Sequence, residues 1–164
     1  MLLIARLDGR RHDRNRFDCG VPALNIYLQQ QAAQHHRNGI ATTHVLIDDD
    51  APACIVGYYT LAAAQLRLSD LMPADQRRLP RYPVPAARLA RLAISLEEQG
   101  RGLGESLLQD AVKRCLDLRA QLGMRVLLVD AKDGRAAKFY AAFGFRPTAI
   151  RAFTLYLPLG RAGT

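Results

Sequence analysis

The sequence contains no tryptophan and only three cysteines, and this scarcity narrows the kinds of site that it can hold. Cys19, Cys54 and Cys115 are odd in number and lack the spacing of a disulfide framework or a zinc site. The four histidines complete no ligand set near them. We therefore expect a reduced protein without a structural metal.

Long apolar runs are also missing from the sequence. No segment approaches the ~20 apolar residues needed to cross a bilayer. The start, MLLIARLDGRRH, has too little apolar content for a secretory signal. A cytoplasmic location is the expectation.

Positive charge is abundant and is carried almost entirely by arginine. The net charge is +8 with a pI of about 9.9, and only three of the 23 basic residues are lysine. Guanidinium groups suit bidentate phosphate contacts, which favours an anionic partner such as a nucleic acid. A high genomic GC content would also replace lysine by arginine, and composition does not separate the two explanations.

The periodicity of apolar residues predicts one domain, residues 1–164, of mixed α and β structure. Turn residues separate the predicted elements, and no repeat or internal linker is present. The class is α/β (α+β) with a mostly antiparallel sheet. Strands are predicted at 2–7, 41–47, 53–68, 87–95, 125–131 and 152–159, and helices at 22–37, 103–123 and 134–143.

Two local signals support these predicted bounds. Residues 70–85 hold four of the eight prolines, which indicates a connecting loop with at most one helical turn. Asp133 can cap the helix at 134–143, and Gly144 can take the left-handed conformation that ends it.

A glycine-rich step, residues 97–112 (EEQGRGLGESLLQDAV), joins an apolar strand to a long amphipathic helix. Bare backbone followed by a helix N-terminus suits a pyrophosphate, because the first N–H groups of a helix are unpaired. No Walker lysine follows, and no GxGxxG pattern fits. The alternative is that the glycines only permit a tight strand-to-helix turn.

The segment QGRGLG satisfies the Q/R-x-x-G-x-G/A signature and resembles that of the GNAT acyltransferases. The resemblance implies a GNAT fold, with a central, mixed, mostly antiparallel sheet of about six to seven strands flanked by about four helices. It also implies acetyl-CoA as the acetyl donor and no metal. The residues it assigns to acetyl-CoA are Leu92, Ala93, Ile94, Gln99, Gly100, Arg101, Gly102, Leu103 and Gly104.

A second GNAT-like segment is AAKFYAAFGFRP, residues 136–147. The resemblance gives Tyr140 the catalytic role of proton donor to the departing CoA thiolate. The alternative is structural, because Ala136, Phe139, Tyr140 and Phe143 recur at helical spacing, as residues of a core do.

The segments FDCGVPALNIYL, VGYYTLAAA, ARLARLAIS, LLVDAKD and the LPL near the end together resemble GNAT toxins of type II toxin–antitoxin modules. The likeness runs from about Arg6 to Leu159. It implies acetylation of the α-amine of aminoacyl-tRNA, which blocks translation. It further implies a cognate antitoxin, commonly a ribbon-helix-helix DNA-binding protein, and a homodimer.

For tRNA contacts we predict arginines of the proline-rich loop and its surroundings, although each could be an ordinary surface residue. They are Arg37, Arg77, Arg78, Arg81 and Arg91.

Little acid–base equipment is needed, because an α-amino group with a pKa of about 7.7–8.0 is partly unprotonated at neutral pH. Glu97 and Glu98 are the nearest candidates for a base, but they also suit solvated positions near a helix start. Asp130 and Ser95 depart from the toxin pattern, where histidine and aspartate are frequent, which leaves the tRNA preference open.

Two other hypotheses remain from the sequence. One is a GNAT enzyme acting on a small-molecule amine or a protein N-terminus, which needs the same glycine turn but less arginine. The other is a GNAT-like scaffold that binds RNA or a partner without turnover.

Overall fold

The computed structural model describes residues 1–77, 79–149 and 151–160, which form seven strands and five α-helices. The strands are β1 (Leu2–Arg6), β2 (Thr42–Asp48), β3 (Ala51–Leu66), β4 (Val84–Ile94), β5 (Val126–Asp130), β6 (Arg146–Pro147) and β7 (Thr154–Pro158). The helices are α1 (Pro22–Gln30), α2 (Ala32–Arg37), α3 (Pro73–Gln76), α4 (Leu103–Leu118) and α5 (Gly134–Phe143). Short 3-10 turns occupy Leu68–Asp70 and Leu96–Glu98.

The strands form one mixed sheet in the order β1-β2-β3-β4-β5-β7-β6. The pairs β1–β2, β2–β3, β5–β7 and β6–β7 are antiparallel, whereas β4 and β5 are parallel. This confirms the predicted class and a mostly antiparallel sheet. β5 lies between β4 and β7 in this order. Its four consecutive apolar residues, Val126 to Val129, are all buried, as expected where both faces of a sheet are covered.

Strand β4 extends beyond its pairing with β5. The register of the described residues runs from Ala86 opposite Val126 to Leu89 opposite Val129, yet β4 continues to Ile94. The last five residues of β4 therefore extend past the paired region, and they lead directly into the glycine-rich step.

The chain forms two compact units. The first comprises Met1–Ala62 and Ala90–Ala111, and its core includes Phe17, Leu28 and Tyr58. The second comprises Ala63–Leu89 and the chain from Val112 onward, and its core includes Leu71 and Tyr156. Strands β3 and β4 and helix α4 each contribute residues to both units.

The predicted helix at 22–37 is two helices, which accounts for five helices where about four were expected. Gln31 separates them with φ −124° and ψ −34°. The break brings the Tyr27 hydroxyl to 3.1 Å from His35 Nδ1. A straight helix would hold residues eight apart about 12 Å apart along its axis, so this contact accompanies the break.

Two further bounds differ from the sequence prediction. Helix α4 ends at Leu118 instead of Gly123, and residues 119–122 continue as turns with a Leu122 N–H to Leu118 carbonyl bond of 3.0 Å. The two-residue strand β6 follows the glycine stop of α5, where the family resemblance implies a strand, but the apolar pattern alone does not indicate it, because a pair such as Arg146–Pro147 is too short to alternate. Among the helices of the described residues, none is long and apolar enough to cross a membrane.

Candidate active site

The glycine-rich step lies between the end of β4 and the start of α4, as predicted. The side-chain amide of Gln99 donates to the carbonyl oxygens of Cys19 (3.0 Å) and Ile94 (2.9 Å). The Leu96 N–H also donates to the Asp18 carbonyl at 2.9 Å. The bonds to the Cys19 and Asp18 carbonyls join the step to the loop that precedes α1. The Gln99 amide nitrogen is therefore engaged with the protein itself and braces the turn.

Gly100 and Gly102 both adopt left-handed backbone, with φ +82° and +74°. A Cβ at either position would meet no atom within 4 Å, so the space beside both residues is open. Non-glycine residues rarely adopt this backbone, so the turn itself requires glycine at both positions. The open space also lets a ligand approach the main chain. The two interpretations of the sequence are thus compatible.

The first turn of α4 leaves N–H groups available beside these glycines. Ser106 is the first residue to form the helical bond, to the Gly102 carbonyl at 3.3 Å. The N–H groups of residues 103–105 have no acceptor among the described residues. They carry the positive end of the helix dipole, so the geometry suits an anion such as a pyrophosphate.

Gly57 in β3 is a supporting residue that the sequence analysis missed. A Cβ at this position would lie 2.8 Å from the Ala93 carbonyl oxygen and 2.7 Å from Ile94 Cδ1. Such distances are too short for a side chain, so only glycine allows β3 to approach this part of β4. The available signal was a glycine inside an apolar strand pattern, which often marks close backbone approach.

The predicted β4 residues differ in exposure. Ala93 is buried, whereas Leu92 and Ile94 are half-buried. The Ile94 carbonyl accepts from Gln99, and the neighbouring Ser95 N–H donates to the Val56 carbonyl at 2.8 Å. The main chain at the end of β4 is therefore held by the protein itself, and the Ala93 side chain packs in the core of the first unit.

Tyr140 lies on α5, whose two ends form as predicted. Asp133 Oδ1 accepts from the Ala136 N–H at 2.8 Å, and Gly144 ends the helix with φ +116°. These caps set the residues at which the helix begins and ends. They therefore fix the position of Tyr140 within it.

The surroundings of Tyr140 are apolar. Its ring meets Phe139 and Phe145 edge-on, with centroids 5.1 and 5.5 Å away, and its exposed fraction is 8%. Burial raises the pKa of the Tyr140 hydroxyl to about 12. Within the described part of the chain, this hydroxyl has no hydrogen-bond partner. It is therefore a protonated donor that the fold leaves unused.

The predicted site residues fall into the two compact units. Leu92 to Gly104 belong to the first unit together with Arg37 and Arg91, whereas Tyr140, Arg77 and Arg81 belong to the second. Arg78 lies outside the described residues.

The predicted tRNA-contact arginines differ in whether their side chains are exposed or are held by contacts within the protein. Arg37, Arg77 and Arg81 are exposed. The Arg91 guanidinium lies 3.5 Å from the centroid of the Tyr27 ring, a cation–π contact that holds it against the protein.

The acidic candidates have local partners. Glu98 and Arg101 form an ion pair in the turn, and Glu97 is exposed. Asp130 pairs with Arg88 and accepts a 2.8 Å hydrogen bond from the Thr154 hydroxyl. It lines a cavity of about 430 Å³ in the second unit, which Arg67 and Arg151 also line.

The cysteines and one group of aspartates are the other residues that could suit nucleophilic or metal chemistry, and of the cysteines only Cys54 is exposed. Cys19 and Cys115 are buried, and burial raises the pKa of the Cys115 thiol to about 11, so that it stays protonated. Three carboxylates, those of Asp48, Asp49 and Asp50, lie close enough together to share a cation, but two of the three accept hydrogen bonds from the Met1 amino group.

Comparison with known proteins agrees with this fold. The sequence profile described as "Acetyltransferase (GNAT) domain" matches residues 41–147, well over half of the chain. The chain therefore belongs to the GNAT acetyltransferase family.

Particular relatives narrow the comparison. The chain is 38% identical over 133 residues to a "tRNA-acetylating toxin" of Mycobacterium tuberculosis, covering 81% of this chain and 78% of that protein. It is similar to the solved structure of AtaT complexed with acetyl-methionyl-tRNAfMet, with a TM-score of 0.90 and 30% identity over 96% of this chain and 95% of that one. A structure of mutant AtaT bound to acetyl-CoA and the C-terminus of the antitoxin AtaR has a TM-score of 0.81 and 29% identity over 96% and 93%.

Proposed function

We propose that this protein is the toxin of a type II toxin–antitoxin module. It transfers an acetyl group from acetyl-CoA to the α-amine of aminoacyl-tRNA and thereby blocks translation. The observation that carries the proposal is the open left-handed glycine turn before α4, in a GNAT chain whose similar proteins acetylate tRNA.

Acetyl-CoA fits the turn. The space beside Gly100 and Gly102 would be filled by a Cβ, and the unpaired N–H groups of residues 103–105 can bind the pyrophosphate. The main chain of Leu92, Ala93 and Ile94 flanks the pantetheine arm like an added strand, on the part of β4 that extends past β5. Gln99 acts indirectly, by holding the turn in shape.

The chemistry requires a positioned amine and a proton donor. Bound acetyl-CoA supplies a thioester whose C–S bond breaks as the substrate's N–C bond forms, leaving a CoA thiolate. Tyr140 donates its hydroxyl proton to that sulfur and regains a proton from solvent, which receives the one released by the amine. The amine loses its own proton to solvent, because its ordinary pKa of about 7.7–8.0 makes a strong base unnecessary.

The energetics of the proton transfer depend on burial. A Tyr140 pKa of about 12 lies above the reference thiol value of about 8.5, a gap worth about 5 kcal/mol. Burial penalises a thiolate as it penalises a phenolate, so a sulfur in the same apolar surroundings has a raised pKa as well. The difference between the pKa values of Tyr140 and the thiol therefore becomes smaller if the leaving sulfur lies beside Phe139 and Phe145.

The remaining parts of the proposal concern partners. Arg37, Arg77, Arg78, Arg81 and Arg91 contact tRNA phosphates, and residues 1–164 act as one catalytic domain. A cognate antitoxin neutralises the toxin, and the AtaT–AtaR complex supports this partner. The family resemblance alone implies that the antitoxin is a ribbon-helix-helix protein. The protein forms a homodimer and acts in the cytoplasm, where its proposed substrate is.

The decisive experiment incubates purified protein with acetyl-CoA and total charged tRNA, and identifies acetylated aminoacyl-adenosine by mass spectrometry. Wild type, Tyr140→Phe and the matched control Tyr82→Phe, an exposed tyrosine, are compared. We expect product from wild type and Tyr82→Phe, and a loss of about 10²–10⁴ in rate for Tyr140→Phe.

Two outcomes would contradict the proposal. Binding of acetyl-CoA without any product on charged tRNA, but with acetylation of small amines or protein N-termini, would favour the other GNAT activity. Equal rates for wild type and Tyr140→Phe would remove Tyr140 from the chemistry.

A further inference from the structure

A large groove with a strongly basic lining lies in the first compact unit, and Arg37 is the one lining residue that the proposed function already uses. Its volume is about 950 Å³. Its walls come from β1, from the loop at residues 8–14, from α2 and from the β2–β3 hairpin. The charged and titratable residues among its lining are Arg6, Asp8, Arg10, Arg11, His12, Arg14, His36 and Arg37.

The lining concentrates the excess charge of the molecule. Five arginines against one aspartate give a formal charge of +4, which is half of the net +8 of the whole chain. The two histidines do not add to this count at neutral pH. Burial lowers the pKa of both His12 and His36, so they stay uncharged.

Most of this charge is uncompensated. Arg11 pairs with Asp8 at 3.6 Å. Arg6, Arg10, Arg14 and Arg37 have no ion-pair partner within the described part of the chain. Arginines elsewhere, such as Arg88 and Arg146, each face an aspartate. Several unpaired guanidinium groups around one groove repel each other, and a polyanion that binds there relieves that repulsion.

The uncharged part of the lining indicates how an anionic ligand is contacted. It contains no phenylalanine, tyrosine or tryptophan. Single-stranded RNA is usually held by stacking its bases on aromatic rings, whereas double-stranded RNA is contacted through phosphates and 2′-hydroxyls. The arginine-lined groove therefore suits the backbone of a helical stem.

We propose that this groove binds the phosphate backbone of a double-stranded stem of the tRNA substrate, with Arg6, Arg10, Arg14 and Arg37 as the contacts. The inference rests on the proposed function, since charged tRNA supplies the stem. It adds a surface distinct from the proline-rich loop and assigns a role to the basic segment at residues 10–14. An acidic protein segment is the competing occupant, and the experiment below separates the two.

The test measures binding of uncharged tRNA, which needs no acetyl transfer, at several salt concentrations. Arg10→Gln is compared with Arg16→Gln, a matched control in the same loop that is exposed and does not line the groove. The triple variant Arg6→Gln/Arg10→Gln/Arg14→Gln gives the full effect without changing Arg37, which the proposed function already assigns to tRNA. Thermal unfolding of each variant checks that the fold is kept.

We expect Arg10→Gln to reduce the slope of log K against log [salt] by about one and the triple variant by about two to three. The affinity of the triple variant falls at least about tenfold near 0.15 M salt, while Arg16→Gln behaves as wild type. The kcat/KM for charged tRNA falls more than that for an aminoacyl-adenosine fragment, which lacks the stem.

The outcomes distinguish this inference from the proposed function. Unchanged tRNA affinity and slope in the triple variant would overturn the groove while leaving acetyl transfer intact. The same result with lost binding of an acidic antitoxin peptide would assign the groove to protein instead. Conversely, the wild type could fail to acetylate any charged tRNA while the triple variant loses tRNA binding. This pair of results would overturn the proposed function and keep the groove as a tRNA-binding surface.

Discussion

At the scale of single residues, Tyr140 combines two properties that rarely occur together in a core tyrosine. It is almost fully buried, and its hydroxyl has no partner in the described part of the chain. Buried tyrosine hydroxyls usually find a hydrogen bond, as Tyr58 does with the Leu24 carbonyl at 2.7 Å. The Tyr140 hydroxyl forms no such bond and stays available to a bound substrate, which favours the catalytic interpretation.

The raised pKa of Tyr140 gives a prediction for alkaline stability. The folded-state pKa of about 12 lies above the ordinary value of about 10, so the folded protein holds this proton more tightly. The resulting stability is fully present below pH ~10 and is lost as the pH rises through ~12. Between pH 9 and 11, Tyr140→Phe should lose about 1.4 kcal/mol less unfolding free energy than wild type.

Urea unfolding at pH 9, 10 and 11 measures this difference. Tyr82→Phe is the control, because an exposed tyrosine has no burial to lose. Parallel losses in wild type and Tyr140→Phe would show that the Tyr140 hydroxyl is solvated in the folded protein.

At the scale of elements, the turn before α4 is the part that the sequence predicted best. Its glycines predicted the break between β4 and α4, and Gly100 and Gly102 adopt left-handed backbone there. That this backbone binds a ligand stays a prediction. We expect Gly102→Ala to weaken acetyl-CoA binding, because its Cβ enters the open space, and to destabilise the fold by about 1–2 kcal/mol, because φ is +74°.

Gly39 offers a matched control for this prediction. It has φ +71°, and an added Cβ would likewise meet nothing within 4 Å. Gly39→Ala should therefore cost similar stability but leave acetyl-CoA affinity unchanged in calorimetric titration. Equal losses of affinity in the two variants would mean that Gly102 acts through the fold alone.

The N-cap of α5 gives a second prediction at this scale. Asp133→Ala should destabilise the protein by about 1 kcal/mol, because the Ala136 N–H loses its acceptor. Asp133→Asn should restore most of this loss, since asparagine caps nearly as well. Chemical denaturation measures both, and an Asn variant as unstable as the Ala variant would contradict the capping role.

Other elements could not be predicted, for physical reasons. The polar run around Gln31 has the same local propensity in one helix as in two, and only the contact between Tyr27 and His35 shows the break. From the sequence, Gly57 is a glycine that lowers the strand propensity of β3. Its role follows only from the structure, where the Ala93 carbonyl and the Ile94 side chain leave no room for a Cβ. The Gly57 contacts join residues distant in sequence, and the Tyr27–His35 contact forms only after the helix has broken, so the local pattern indicates neither.

At the scale of the whole molecule, two compact units share continuous elements, since β3, β4 and α4 run through both. We therefore expect a single cooperative unfolding transition, in keeping with one domain. The chain lacks tryptophan, so tyrosine fluorescence and far-ultraviolet circular dichroism are the two probes to compare. Separate midpoints would show that the units unfold independently.

The proposed activity makes a prediction for translation as a whole. Adding the wild-type protein to a cell-free translation reaction should stop protein synthesis only when acetyl-CoA is present, because acetylated α-amines cannot form peptide bonds. Tyr140→Phe should leave synthesis nearly intact. Arrest without acetyl-CoA, or with Tyr140→Phe at full strength, would instead support a scaffold that sequesters RNA.

The braces of the glycine turn have a practical consequence for how the protein can be shortened. The family profile begins at residue 41, yet two of the bonds that hold the turn come from the carbonyls of Asp18 and Cys19, far upstream. A protein shortened to the segment that matches the family profile would keep every glycine of the signature. It would lose the two hydrogen bonds to Asp18 and Cys19 that hold the turn. Homology boundaries are thus a poor guide for deletion mapping of this protein, because residues upstream of the profile hold the turn in shape.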